Sequence, residues 1–151
     1  MSKAVLLIYR LAYFLYTYKI PIFPEVINKL FVRLLFGTQL QLGAKIGKNV
    51  ELGNGGLGIV IHRHAVLGDN VIIAPGVTIG GTTKKFGAAK IGHNTFVATG
   101  AKILGPVTIG KNCVIGANAV VISDIPDNSL AVGIPAKIIK SNIDITDYRD
   151  I

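Results

Sequence analysis

Between Leu40 and Ile125 an aliphatic residue recurs at intervals of six, a period that fits neither a helix nor a lone amphipathic strand. Thirteen units open on Leu40, Ile46, Leu52, Ile61, Leu67, Ile73, Ile79, Ile91, Val97, Ile103, Ile109, Ile115 and Val121. Four residues later most units place a small or β-branched residue, as at Ala44, Val50, Gly56, Val77, Thr83, Thr95 and Ala119. The position after the opener is Gly or Ala in nine units, and the position two further on is Gly or Asn in nine. Gly and Asn tolerate a left-handed backbone, so each unit encodes strand, corner, strand. Three units close a triangular coil of about eighteen residues, and the inward aliphatics stack into one core. The expected fold is mainly β: a parallel β-helix of about four triangular coils over residues 38–126. A helical segment, 1–37, precedes it, and a tail, 127–151, caps it.

A chain of 151 residues is one domain, and half of them are apolar, which excludes global disorder. Formal net charge is +8. The basic residues are scattered and no nucleic-acid motif accompanies them, so nucleic acid is not an expected partner; a polyanionic small ligand or an acidic membrane fits better. The single cysteine, Cys113, falls on an inward slot and cannot form an intrachain disulfide. With no apparent signal peptide, a cytoplasmic location is expected. Val5 to Tyr16 is an apolar run interrupted by Arg10 and stopped before Pro21 and Pro24; Glu25 to Phe36 reads as a second helix ending at Gly37. Neither reaches the roughly 18 apolar residues of a membrane span. The pair is expected to cover the open end of the solenoid or a neighbouring subunit. Peripheral contact with the inner face of a membrane is the alternative, because Lys3, Arg10, Lys19, Lys29 and Arg33 flank apolar faces.

The repeat is interrupted twice. Three extra residues fall between Leu52 and Ile61, within Gly53-Asn54-Gly55-Gly56-Leu57-Gly58. Between Ile79 and Ile91, twelve positions apart, runs Gly80-Gly81-Thr82-Thr83-Lys84-Lys85-Phe86-Gly87-Ala88-Ala89-Lys90, either a degenerate hexad or an extruded loop. Its glycines and lysines suit a loop that embraces a ligand. With these features, Gly58-Ile59-Val60-Ile61-His62, Gly100-Ala101-Lys102-Ile103-Leu104-Gly105 and Val132-Gly133-Ile134-Pro135-Ala136-Lys137 resemble the hexapeptide-repeat acyltransferases, over about residues 40 to 140. Within them the chain is most similar to the serine acetyltransferase branch, especially short members associated with surface polysaccharides. The resemblance implies a left-handed β-helix, a homotrimer, acetyl-coenzyme A as acyl donor with no tightly bound cofactor, and sites in clefts between subunits. By position it assigns donor binding to Gly80, Gly81, Thr99, Ala117 and Lys137, with Lys84, Lys85 and Lys137 available to phosphates.

Acetyl transfer to a hydroxyl needs a base for its proton and donors for the developing oxyanion. Histidine, with an ordinary pKa of about 6.5, is the suitable base, and the chain has His62, His64 and His93. His93 shares its slot with Lys48, Arg63, Asp69 and Lys111, a solvated corner. His64 takes a corner slot dominated by Gly and Asn. His62 occupies a slot that is usually Gly or Ala, directly after the first interruption, and is the preferred catalytic residue; His64 and Asn54 are the further candidates. An inward Cys113 makes a covalent route unfavourable, and three histidines without clustered carboxylates form no metal set.

Serine acetyltransferases carry an Asp-His pair where this chain has Gly53 and Asn54, and a second His where it has Ala88 and Ala89. Both departures point away from L-serine. The expected activity is therefore O-acetylation of a sugar or polysaccharide-precursor hydroxyl, with serine O-acetylation as the alternative. A non-catalytic trimeric scaffold is the reading of another class.

Overall fold

The computed structural model describes residues 2–83 and 85–149, and Lys84 lies outside them. Fifteen strands, most only two residues long, wind into a solenoid with three flat faces. Face 1 stacks β1 (Gln39–Leu40), β4 (Val60–Ile61), β7 (Thr78–Gly80), β10 (Lys102–Leu104) and β13 (Val120–Val121). Face 2 stacks β2 (Lys45–Ile46), β5 (Val66–Leu67), β8 (Lys90–Ile91) and β11 (Thr108–Ile109). Face 3 stacks β3 (Glu51–Leu52), β6 (Ile72–Ile73), β9 (Phe96–Val97), β12 (Val114–Ile115) and β14 (Ser129–Val132), and closes on antiparallel β15 (Lys137–Ser141). Every pairing between coils is parallel and joins a strand to the third strand after it, or for β14 the second. The fold is the expected left-handed parallel β-helix of about four coils.

Register fixes the core. On face 1 Leu40, Ile61, Ile79, Ile103 and Val121 align and are all essentially inaccessible. Burying such a side chain contributes about 1.5–3 kcal/mol, and the columns run the length of the solenoid. Both interruptions leave the columns intact by adding residues outside them. Ile79 pairs with Ile103 and Leu67 with Ile91, so the second interruption is an extruded loop and not a degenerate hexad. The inward slots expected at Gly56 and Thr83 are filled instead by Ile59 and Ala89, two residues before the next opener, while Thr83 is exposed.

Two polar devices align the coils. Asn49, Asn70, Asn94, Asn112 and Asn128 all adopt positive φ at the corner between faces 2 and 3. Each side-chain amide donates to the next Asn carbonyl at 3.0–3.2 Å, forming a ladder parallel to the axis. Inside, the Thr95 hydroxyl donates to the Gly110 carbonyl at 2.8 Å and accepts from the Cys113 amide at 3.2 Å, which satisfies a buried polar group.

The N-terminal residues form α1 (Ser2–Thr17) and α2 (Phe23–Ile27), the latter continuing as a π-helical stretch over Asn28–Leu34. Val5, Leu6 and Tyr9 of α1 join the core of the solenoid, and Ala12 on the same helix is also buried. The Tyr9 hydroxyl donates to the carbonyls of Ala44 and Gln41 at 2.9 and 3.1 Å, anchoring the helix. No helix among the described residues is long and apolar enough to cross a membrane.

Candidate active site

The three corners of the solenoid are not equivalent, and the difference decides where a ligand fits. At the corner between faces 2 and 3 the glycines touch the next coil: a methyl on Gly68 would meet the His93 amide nitrogen at 2.8 Å. At the corner between faces 1 and 2 the equivalent positions are Gln41, His62, Gly80, Leu104 and Ile122. That column admits large outward side chains. The imidazole of His62 is therefore ordinary for its column, and slot frequency averaged over three corners overstated its rarity. What distinguishes it is the neighbour below. Gly80 places no side chain between His62 and Leu104, and a methyl there would meet Leu104 Cδ2 at 3.5 Å.

His62 is half-buried and His64 exposed at this corner. Their rings lie 5.3 Å apart, and His64 packs on Phe86 of the extruded loop at 4.6 Å. Phe86 is 87% exposed, so the contact is made across an open surface. Nδ1 of His62 accepts the His64 amide at 3.2 Å. In a neutral ring the proton then sits on Nε2, on the Gly81 side, where a methyl on Gly81 would lie 3.9 Å away. Partial burial, then the neighbouring His64 and Arg63, hold the His62 pKa below its usual 6.5, favouring that neutral form. The loop is pinned by a bridge between Thr82 and Lys85, and with Leu104, Pro106, Ile122 and Asp124 it lines a depression down the same corner.

The remaining sequence candidates divide between two corners. Gly80, Gly81 and exposed Lys85 share the corner of His62 and His64. Asn54, Thr99 and Ala117 lie on the opposite edge of face 1, at the corner between faces 3 and 1, as does the tail segment reaching Lys137. Ala136 donates its amide to Val120 at 2.8 Å, seating that tail beside β13. So the two interruptions do not face each other within one chain; a strand's width of face 1 separates them. His93 is a corner fixture whose Nδ1 accepts the Asp69 amide at 2.9 Å. Cys113 is fully buried, and burial pushes its thiol pKa up. Among the described residues no group of three or more His, Cys, Asp or Glu could hold a metal ion. Phe86 escaped the sequence reading, although a lone aromatic in a Gly- and Lys-rich loop was a visible signal.

The bacterial transferase hexapeptide family (six repeats) matches residues 88–123. A serine acetyltransferase of Synechococcus elongatus is 39% identical over 136 residues, covering 89% of this chain and 55% of the relative. The chain belongs to the hexapeptide-repeat transferases, on the serine acetyltransferase-like branch. Serine acetyltransferase from Brucella abortus strain S19 in complex with coenzyme A superposes with a TM-score of 0.86 at 34% identity, covering 90% of this chain and 54% of that one. Soybean serine acetyltransferase complexed with serine superposes with a TM-score of 0.84 at 33% identity, covering 89% and 56%. This hexapeptide-repeat chain thus spans about half the length of the relatives it matches.

These relatives correct the sugar-hydroxyl acceptor expected first from the sequence, because their names carry serine acetylation. At the positions where the relatives' family carries other side chains, Ala88 and Ala89 are buried. A side chain at Gly53 would meet Pro75 Cδ at 2.8 Å, and Asn54 stands at φ 48°, a conformation that suits asparagine.

Proposed function

We propose that the protein catalyses acetyl transfer from acetyl-coenzyme A to the hydroxyl of L-serine. The observation that carries this reading is the superposition over nine-tenths of the chain on serine acetyltransferases solved with coenzyme A and with serine. The His62–His64 pair supplies the acid–base chemistry. With Nδ1 of His62 engaged by the His64 amide, its Nε2–H is a donor suited to charge developing on the thioester oxygen. His64, whose ring nitrogens carry no bond within the described residues, is the base. Serine oxygen attacks the thioester carbon, the C–S bond breaks, and the serine proton passes through His64 to the departing thiolate. Cys113, buried and with a raised pKa, takes no part, so transfer is direct.

Donor binding is assigned to Gly80, Gly81 and Lys85 on one edge of face 1 and to Thr99, Ala117 and Lys137 on the other. A homotrimer with clefts between face edges would bring the two sets together from different copies. The test is thiol release from acetyl-coenzyme A with and without L-serine. Serine-dependent release that disappears in His64→Ala supports the reading. Release unaffected by serine, or no coenzyme A binding, overturns it.

A further inference from the structure

The first helix is apolar on two opposite faces, and the fold uses only one. Val5 and Tyr9 pack on the solenoid, whereas Leu7, Leu11 and Phe14, continued by Tyr18 just past the helix end, form a stripe away from them and are 54% exposed or more. At 100° per residue Lys3 and Arg10 fall along one border of that stripe. The second helical segment repeats the arrangement: Pro24 and Val32 are buried while Phe23, Val26, Leu30 and Leu34 are exposed, with Lys29 and Arg33 among them. Among the described residues, thirteen of the nineteen large apolar side chains that stand exposed lie between Leu7 and Leu35, so the exposure is a concentrated patch and not scattered surface.

We infer that this helical face docks on an anionic lipid surface, with its apolar stripes in the headgroup–acyl boundary and Lys3, Lys19 and Arg33 on lipid phosphates, while Arg10 holds the Gly47 carbonyl at 2.8 Å and Lys29 pairs with Glu25. Charge selects this occupant. Between residues 2 and 37 there are five basic residues, Lys3, Arg10, Lys19, Lys29 and Arg33, and one acid, Glu25. A second copy would set the same positive surface against itself, which opposes association, whereas an anionic bilayer complements it. The chain lacks a spanning helix among its described residues, so the attachment is peripheral. The proposed contact leaves the solenoid outside the bilayer, because the patch is built on the N-terminal helical segment.

The test is flotation of the full chain with vesicles of phosphatidylcholine containing 30% phosphatidylglycerol, alongside pure phosphatidylcholine vesicles. Expected are at least tenfold stronger binding to the anionic vesicles, weakening with added salt, and loss of binding in the double variant Leu11→Glu, Phe14→Glu. Both residues are exposed, so the variant keeps its β-sheet circular dichroism and its thiol-release activity, which separates loss of docking from loss of fold. Equal binding to both vesicle types, or a double variant that still floats, overturns the proposal. So does a wild-type assembly that grows with concentration through this face and is abolished by the same variant, because the occupant would then be a second copy.

Discussion

At the scale of single residues the proposed chemistry turns on one nitrogen. Because His62 Nδ1 accepts the His64 amide, the two histidines are not interchangeable. His64→Ala is expected to lower kcat by about 10²–10⁴-fold, the span of a lost general base. His62→Gln, which retains an N–H donor, should keep far more activity than His62→Ala; equal losses would assign His62 to proton abstraction instead. The pH profile offers a separate check. Burial lowers the His62 pKa, so its neutral donor form persists below pH 6.5 and is lost as pH falls through the lowered value. Protonation makes Nδ1 a donor and breaks its bond from the His64 amide. The acid limb of kcat/KM in wild type should thus contain a component below 6.5 that is missing in His62→Gln. Sequence reasoning proposed both histidines because three exist and two fall beside an interruption, and the structure places their rings 5.3 Å apart. It could not apportion their roles, because tautomer and ring contacts arise only when Phe86 and the coil below are in place.

Strands and corners explain both the success and the failure of pattern reading. The columns were legible because a two-residue strand has one inward side chain, and its period survives both insertions. The nature of the second insertion was not: twelve positions hold two whole hexads, and only the pairing of Leu67 with Ile91 shows that the extra residues leave the coil. Corner identity was equally hidden, because Gly47, Gly80 and Gly116 look alike in a slot count although they stand at three different corners. The asparagine ladder gives the element-scale prediction. Asn94 donates to Asn112 and accepts from Asn70 at φ 59°. Asn94→Ala should destabilise the fold by about 1–3 kcal/mol, read from the denaturation midpoint, through lost hydrogen bonds and backbone strain. Asn94→Gly removes only the bonds and should cost less. A larger loss with glycine would contradict the ladder account.

For the whole molecule, the separation of candidate residues onto two edges of face 1 makes a proposal about assembly testable without a structure of the complex. If each site joins the His64 edge of one copy to the Lys137 edge of the next, His64→Ala and Lys137→Glu chains should be impaired alone. Co-assembled in equal amounts they should recover about a quarter of wild-type activity, since about three-quarters of cyclic trimers are mixed and each holds one intact site in three. No recovery would mean that one chain carries its whole site. The unequal corners have another consequence, for how the chain winds. A coil laid down one hexad out of step would carry the side chain of Leu104 to a corner where Gly92 leaves only 2.5 Å between an added methyl and the Lys111 amide nitrogen. It would also strand each asparagine away from its partners. The true repeat is three hexads long, and steric exclusion at one corner acts as a pawl that lets the growing solenoid advance only by whole turns.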